Sequence, residues 1–162
     1  MRNPLDKIRD LAATIAWREE LHAAGQRLVL TNGCFDMLHR GHVEYLYQAR
    51  TAGDALLVAT NTDRSVQAVK GPSRPIVPQA DRAYQLASLE SVDGVVYFDS
   101  PDCIPILEAV RPHVYVKGGD YTLDTINQDE RRVLERIGSQ IVFKSFVPGY
   151  STTRLISRIR DE

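Results

Sequence analysis

The feature that most constrains this chain is one unbroken run from Arg27 to Tyr47, RLVLTNGCFDMLHRGHVEYLY. A short apolar segment, Leu28-Val29-Leu30, gives way to the small polar turn Thr31-Asn32-Gly33, and His39-Arg40-Gly41-His42 then heads an amphipathic stretch. The order predicts a strand, a loop and a helix. A helix start carries backbone N–H groups without intrahelical partners and about half a positive charge, so it favours an anion. His39 and His42 add ring N–H donors there, and Gly33 and Gly41 lack the Cβ that would hold a ligand off the backbone. A polar surface turn or a metal site would also use two histidines at this spacing. For the metal, no further Cys/His group with regular spacing completes a ligand set.

The rest of the chain repeats the alternation. Apolar residues at spacings of three and four predict a helix from Pro4 to about Ala24, with Asn3 and Pro4 suited to its cap and first turn. After the helix that follows His42, Ala55 to Thr60 reads as a strand buried on both faces. A strand at Val95–Phe98, a helix at Ile104–Val110, a strand at Val114–Val116, a helix at about Gln128–Ile137, a strand at Ile141–Phe143 and a last helix to Arg160 follow. Helix Gln79–Ser91 carries Arg82 in its first turns, where a cation opposes the macrodipole and invites a negative partner. The fold class expected is α/β, a single-domain, doubly wound parallel sheet of Rossmann-like kind. Residues 27–162 would form that domain, and the helix in 1–26 would pack on it or on a partner subunit.

Ligands in such sheets bind outside the carboxyl ends of the strands. The chemically distinctive loops all fall there: Asn32 to His42, Asn61 to Asp63, Lys117-Gly118-Gly119-Asp120-Tyr121, and Gly149 to Thr153. Between Lys70 and Pro78, three prolines and a glycine predict an exposed loop whose Lys70 and Arg74 either close over phosphates or are simply solvated. Ser151 is a good N-cap, which accounts for part of the Ser-Thr-Thr cluster.

Composition narrows the function. A formal net charge of −1 over 162 residues argues against a general nucleic-acid binder. Cys34 and Cys103 are the only cysteines, so no disulfide framework is available, and Cys34 reads better as a small residue in a tight turn than as a reactive thiol. No run approaches the ~20 apolar residues that span a bilayer, and the first twenty residues lack an apolar signal core, so no membrane association and a cytoplasmic location are expected. Gly-x-Gly-x-x-Gly after the first strand and the Walker A lysine motif are both missing, which disfavours hydride transfer and P-loop hydrolysis. A phosphate site without an evident covalent nucleophile suits direct nucleotidyl transfer, in which a substrate phosphate attacks the α-phosphorus of a triphosphate and pyrophosphate leaves.

Thr31 to His42, with its His-x-Gly-His, resembles the signature of the cytidylyltransferase-like nucleotidyltransferase superfamily, and within it the heptose 1-phosphate adenylyltransferases. Lys117 to Tyr121 matches their Lys-Gly-Gly-Asp-Tyr segment, Ser151-Thr152-Thr153 their Ser-Thr-Thr, and Asn61-x-Asp63, Lys70 and Arg82 fall where relatives carry Asn-x-Asp, a phosphate-binding lysine and a helix arginine. The resemblance implies ATP as co-substrate with Mg²⁺, a sugar phosphate as acceptor, and His39, His42 and Lys70 as catalytic residues. It implies that Asn32, Gly33, Cys34, Phe35, Gly41, Arg82, Lys117, Gly118, Tyr150, Ser151, Thr152 and Thr153 bind the nucleotide. Asp36, Asn61, Asp63, Gly119 and Asp120 would meet the acceptor. Glycerol-phosphate cytidylyltransferases carry an arginine shortly before Gly-x-Ser-Thr-Thr, whereas Phe146 to Tyr150 holds no cation, which leans towards the heptose branch. Cytidylyl transfer to glycerol 3-phosphate or another polyol phosphate is the alternative, and a non-catalytic nucleotide-binding module a further one. Bifunctional relatives fuse this domain to a sugar kinase; 162 residues leave no room for one, so the kinase is expected on a separate chain or not at all. A homo-oligomer is also expected.

Overall fold

A computed structural model describes residues 2–145 and 148–160; Phe146 and Val147, part of the cation-free stretch noted above, lie outside the described residues. Six parallel strands form one sheet: β1 (Ile8–Arg9), β2 (Leu28–Gly33), β3 (Ala55–Asn61), β4 (Gly94–Phe98), β5 (Val114–Gly118) and β6 (Gln140–Lys144), in the order β1-β4-β3-β2-β5-β6. Helices α1 (Leu11–Ala23), α2 (Arg40–Arg50), α3 (Asp63–Lys70), α4 (Gln79–Ser88), α5 (Ile104–Val110), α6 (Gln128–Ile137) and α7 (Thr152–Arg160) complete the α/β fold. The chain winds outward from β2 through β3 to β4, then returns to the other side of β2 to place β5 and β6. The topological switch point is therefore the gap between β2 and β5.

Strand alternation sorts the core into two layers. Leu28 and Leu30 of β2 and Leu57 and Ala59 of β3 point to one side, where Leu21 of α1, Leu107 of α5 and Leu134 of α6 cover them. Val29, Leu56 and Val58 point to the other, against Leu46 of α2 and Ala83 and Leu86 of α4. All seven residues of β3 are buried, which explains why Ala55 to Ala59 is continuously apolar rather than alternating; Thr60 and Asn61 bring polar groups to the carboxyl end.

The helix expected from Pro4 to Ala24 starts only at Leu11. Asp10 caps it, its carboxylate accepting the Ala13 N–H at 2.7 Å. The preceding residues form a 3₁₀ turn, Pro4–Lys7, and then β1, which pairs Ile8 with Val95 and Arg9 with Val96 at the sheet edge. Leu5 and Ile8 match the helical period of α1, but the strong cap at Asp10 sets the boundary. At the other end of the sheet, Lys117 and Gly118 belong to β5 rather than to the loop after it. Lys70 closes α3 rather than opening the loop.

Candidate functional site

The carboxyl ends of β2, β3 and β5 open into one cleft of about 510 Å³. From β2 and its loop come Asn32, Gly33, Cys34, Phe35, Asp36, His39, Gly41 and His42. Lys117 and Gly118 come from β5, Tyr150, Ser151, Thr152 and Thr153 from the start of α7, and Asn61, Lys70 and Arg74 from the opposite wall. Tyr45, Val69 and Tyr121 complete the lining. Four of the residues expected at the site do not line it: Arg82, Asp63, Gly119 and Asp120.

The two imidazoles dominate the geometry. His39 is the N-cap residue of α2 but makes no side-chain capping bond, and His42 follows one turn later. Their rings stack with centroids 3.8 Å apart and planes 16° from parallel, and Tyr150 lies beyond His39 at 6.1 Å. Both ring nitrogens of His39 and Nδ1 of His42 are buried and have no hydrogen-bond partner among the described residues. Burial lowers the pKa of His42 to about 4, the neighbouring His39 adding to the effect and Asp36 opposing it; burial lowers His39 too. The free pair is thus neutral near pH 7 and has three buried ring nitrogens without partners among the described residues, a costly arrangement that an oxyanion beside it would relieve. Gly41 makes the stack possible, since a Cβ there would lie 2.9 Å from Tyr150 Cβ and 3.0 Å from the His39 ring.

The loop that carries the histidines is held in an unusual path. Phe35 and Met37 both adopt positive φ, at 47° and 55°, a left-handed conformation that costs non-glycine residues roughly 1–2 kcal/mol. Between them Asp36 compensates. Its carboxylate accepts the Ile76 N–H at 2.9 Å, the Val77 N–H at 2.9 Å and Arg74 Nε at 2.6 Å. Its own carbonyl accepts the Thr152 hydroxyl at 2.7 Å. Burial pushes the Asp36 carboxyl up, but these backbone donors and Arg74 outweigh it and leave its pKa below the ordinary value. The expectation that Asp36 meets the acceptor is not supported: its oxygens pin residues 74–77 to the cleft wall, because a carboxylate this buried requires donors.

Arg82 departs furthest from expectation. It is fully buried. Nε donates to Val77 O at 3.0 Å, Nη1 to Cys34 O at 2.6 Å and Thr60 Oγ1 at 3.0 Å, and Nη2 to Asn61 O at 2.7 Å and Asp63 Oδ1 at 2.9 Å. All five guanidinium donors are used, so none remains for a phosphate. The negative partner that its position in α4 invites is Asp63, whose Oδ1 is thereby engaged. Asn61 lines the cleft, with Nδ2 donating to Ser65 Oγ and Oδ1 facing the Cys34 thiol at 3.6 Å. Burial raises the pKa of that thiol, which keeps it protonated. Ser151 caps α7, accepting the Arg154 N–H at 3.1 Å.

Three participants lie outside the sequence motifs. Tyr45 exchanges a 2.6 Å hydrogen bond with Thr31 beneath the cleft. Tyr115 donates to Asn32 Oδ1 at 2.7 Å, and Glu130 of α6 stands behind both Tyr115 and Lys117. Alternation along β5 puts Tyr115 and Lys117 on one face, a usable signal for the tyrosine; nothing local distinguishes Glu130 from other acids in a first helical turn. Among the described residues no three His, Cys, Asp or Glu stand together to hold a metal, and no helix is long and apolar enough to cross a membrane.

Comparison with known proteins bears on this geometry. Residues 30–158 match the family model described as cytidylyltransferase-like. The bifunctional protein HldE of Geotalea uraniireducens is 47% identical over 154 residues, covering 95% of this chain and 31% of that protein. HldE of Methylococcus capsulatus is 51% identical over 141 residues, covering 87% of this chain and 30% of that one. The chain thus spans under a third of the length of these curated relatives. Among solved structures, the lipopolysaccharide core biosynthesis protein from Thermoplasma volcanium superposes with a TM-score of 0.62 at 25% identity, covering 76% of this chain and 98% of that one. The pantoate–β-alanine ligase of Francisella tularensis shares the fold, with a TM-score of 0.60 at 12% identity over 96% of this chain and 78% of its own.

Two outcomes follow from the geometry. Arg82→Lys leaves several buried oxygens without donors, and we expect a loss of about 3 kcal/mol, read as a fall of roughly 10 °C in melting temperature; an unchanged melting temperature would remove the anchoring role. For His42, the folded pKa of about 4 lies below the unfolded value of about 6.5, so the unfolded state takes up the proton first as pH falls. Stability contributed here is complete above about pH 6.5 and is lost towards pH 4. Urea titrations at pH 7 and 4.5 should show His42→Gln losing about 1–2 kcal/mol less than the wild type, since solvent screens the partly exposed ring.

Proposed function

The chain belongs to the cytidylyltransferase-like family, and on that premise we propose that it transfers AMP from ATP to a heptose 1-phosphate, giving ADP-heptose and pyrophosphate. The observation that carries this reading is the pair of stacked, neutral imidazoles at the N-terminus of α2, set at the topological switch point with three buried ring nitrogens that have no partner among the described residues. The likeness to HldE proteins and to a lipopolysaccharide core biosynthesis protein supports the sugar and a role in lipopolysaccharide precursor synthesis.

In the proposed reaction an oxygen of the sugar phosphate attacks the α-phosphorus of ATP. The new P–O bond forms as the bond to pyrophosphate breaks, and the displaced electron pair leaves on pyrophosphate. A phosphate monoester is already nucleophilic at neutral pH, so no strong base is required. His39 and His42 donate to the non-bridging α-phosphate oxygens as charge develops, and Lys70 meets the leaving phosphates. The turn at Gly33 to Phe35 and the start of α2 at Gly41 approach the phosphates through backbone. Gly118, Tyr150 and Ser151 to Thr153 flank the nucleotide, and Asn61 takes the acceptor side. Asp36, Asp63 and Arg82 support the walls rather than the ligands.

Mg²⁺ fits this cleft as the triphosphate's own counter-ion, since the carboxylate that lines it, Asp36, has its oxygens occupied by Arg74, Ile76 and Val77. It would neutralise phosphate charge when bound. An anion against the imidazoles favours their protonated forms, so nucleotide binding should take up protons below neutral pH.

The test is pyrophosphate release. The wild-type chain should release it only when ATP, heptose 1-phosphate and Mg²⁺ are all present. His39→Ala and His42→Ala should each lower kcat by about a hundredfold to a thousandfold while retaining much of the ATP affinity. Full turnover in both variants removes the proposed histidine roles. Preference for CTP with glycerol 3-phosphate would move the chain to the cytidylyl branch, and nucleotide binding without turnover on any acceptor would leave it a binding module.

A further inference from the structure

Behind the β2–β5 gap lies a buried polar network that the proposed reaction leaves unexplained. Glu130 is 4% exposed and Tyr115 fully buried. Oε1 of Glu130 accepts the Cys103 N–H at 2.9 Å, which fixes the carboxylate. Its Oε2 lies 3.4 Å from the Tyr115 hydroxyl and 3.8 Å from the Lys117 ammonium. Tyr115 OH donates to Asn32 Oδ1 at 2.7 Å, and Lys117 Nζ donates to the same Asn32 oxygen at 3.3 Å and to Tyr115 OH at 3.2 Å.

The donor inventory fixes the direction of every bond. An ammonium has three hydrogens and no acceptor, and here it has three partners: Asn32 Oδ1, Tyr115 OH and the Glu130 carboxylate. Burial, and next the Glu130 charge, raise the phenol pKa of Tyr115 well above its ordinary value, so the hydroxyl keeps its hydrogen. Its shorter contact, to Asn32, takes that hydrogen. Asn32 therefore faces two donors, and only its carbonyl oxygen can stand between them. Its –NH₂ is turned away from them at the cleft lining, with no hydrogen bond among the described residues.

We propose that Glu130, Tyr115 and Lys117 form a positioning relay whose output is Asn32, locked with its amide –NH₂ presented to the cleft as a donor to a polyphosphate oxygen of the bound nucleotide. Lys117 is then not a phosphate ligand but the clamp on Asn32, and Glu130 acts from a helix that never lines the site. The relay rests on the nucleotide-binding reading above.

Titration calorimetry of the full chain with MgATP tests it. Asn32→Asp keeps an oxygen for Tyr115 and Lys117 but replaces the outward –NH₂ with an acceptor. ATP affinity should fall at least tenfold while the melting temperature holds, because the new carboxylate pairs with Lys117. Glu130→Gln and Tyr115→Phe should each weaken ATP binding by about threefold to tenfold, and together by less than the product of the two. The sign for Glu130→Gln is decisive. If Lys117 gripped phosphate directly, removing the carboxylate beside it would tighten ATP binding, so tighter or unchanged affinity overturns the relay. Should Glu130→Gln lower the melting temperature, Tyr115→Phe, which loses only one oxygen, decides the question in its place: weaker binding supports the relay and unchanged binding overturns it. A wild type that binds no ATP sinks the nucleotide reading and the relay with it, whereas wild-type binding with all three variants unaffected sinks the relay alone.

Discussion

The cleft depends on one buried cation that never reaches it. Arg82 rises from the first turns of α4 into the junction where β2 ends, β3 ends, α3 begins and residues 71–78 cross, and it gives one or more donors to each. A guanidinium without solvent would be prohibitive alone, but here every N–H meets an oxygen and Asp63 supplies the opposite charge. Those oxygens include backbone carbonyls at strand and loop ends, where the sheet ladder has stopped providing partners. Arg82 thus satisfies groups that any open α/β sheet leaves exposed at its carboxyl edge. It also fixes the distance between the turn that leads to the histidines and the wall that carries Lys70.

On that foundation the histidine loop can be held in a conformation it would not choose. Left-handed Phe35 and Met37 flank Asp36, whose three bonds to residues 74–77 and carbonyl bond to Thr152 draw three chain segments together. The outcome is two half-buried imidazoles stacked with three buried ring nitrogens unpaired among the described residues. Unmet hydrogen-bonding capacity is expensive in a dry site, and a preorganised donor set is effective for that reason, because no reorganisation is needed when charge appears.

Much of this is legible in the sequence, and the gaps have physical causes. The strands, the two-sided winding and the convergence of loops at one edge follow from apolar periodicity and turn chemistry, which are local. Asp63 and Arg82 are visible as a motif aspartate and a helix arginine, but their pairing with each other needs the fold, since 19 residues separate them. Lys117 has the sequence context of a loop cation because two glycines follow it; pairing with β6 carries the ladder through Gly118 and commits its side chain to one face of β5. Glu130 gives no local sign, because its significance lies in what stands opposite it across the β5 layer. The early edge strand is hidden because Ile8 fits the helical period of α1 as well as it fits a strand.

Charge balance narrows what the cleft can accept. Four basic side chains are candidates for gripping phosphate by their place in the sequence: Lys70, Arg74, Arg82 and Lys117. In the folded chain Arg74 is paired with Asp36, Arg82 with Asp63 and Lys117 with Glu130. Among the described residues only Lys70 of the four has no carboxylate partner. A bare triphosphate, with several negative charges, would meet one unpaired ammonium, a helix N-terminus and two neutral rings, too little to balance it in a partly dry cleft. On the proposed reading, the site suits a polyphosphate that arrives already partly neutralised, with the imidazoles available to gain charge as the anion settles. A cleft of this kind discriminates by the placement of its donors rather than by bulk positive potential, consistent with a chain whose net charge is −1.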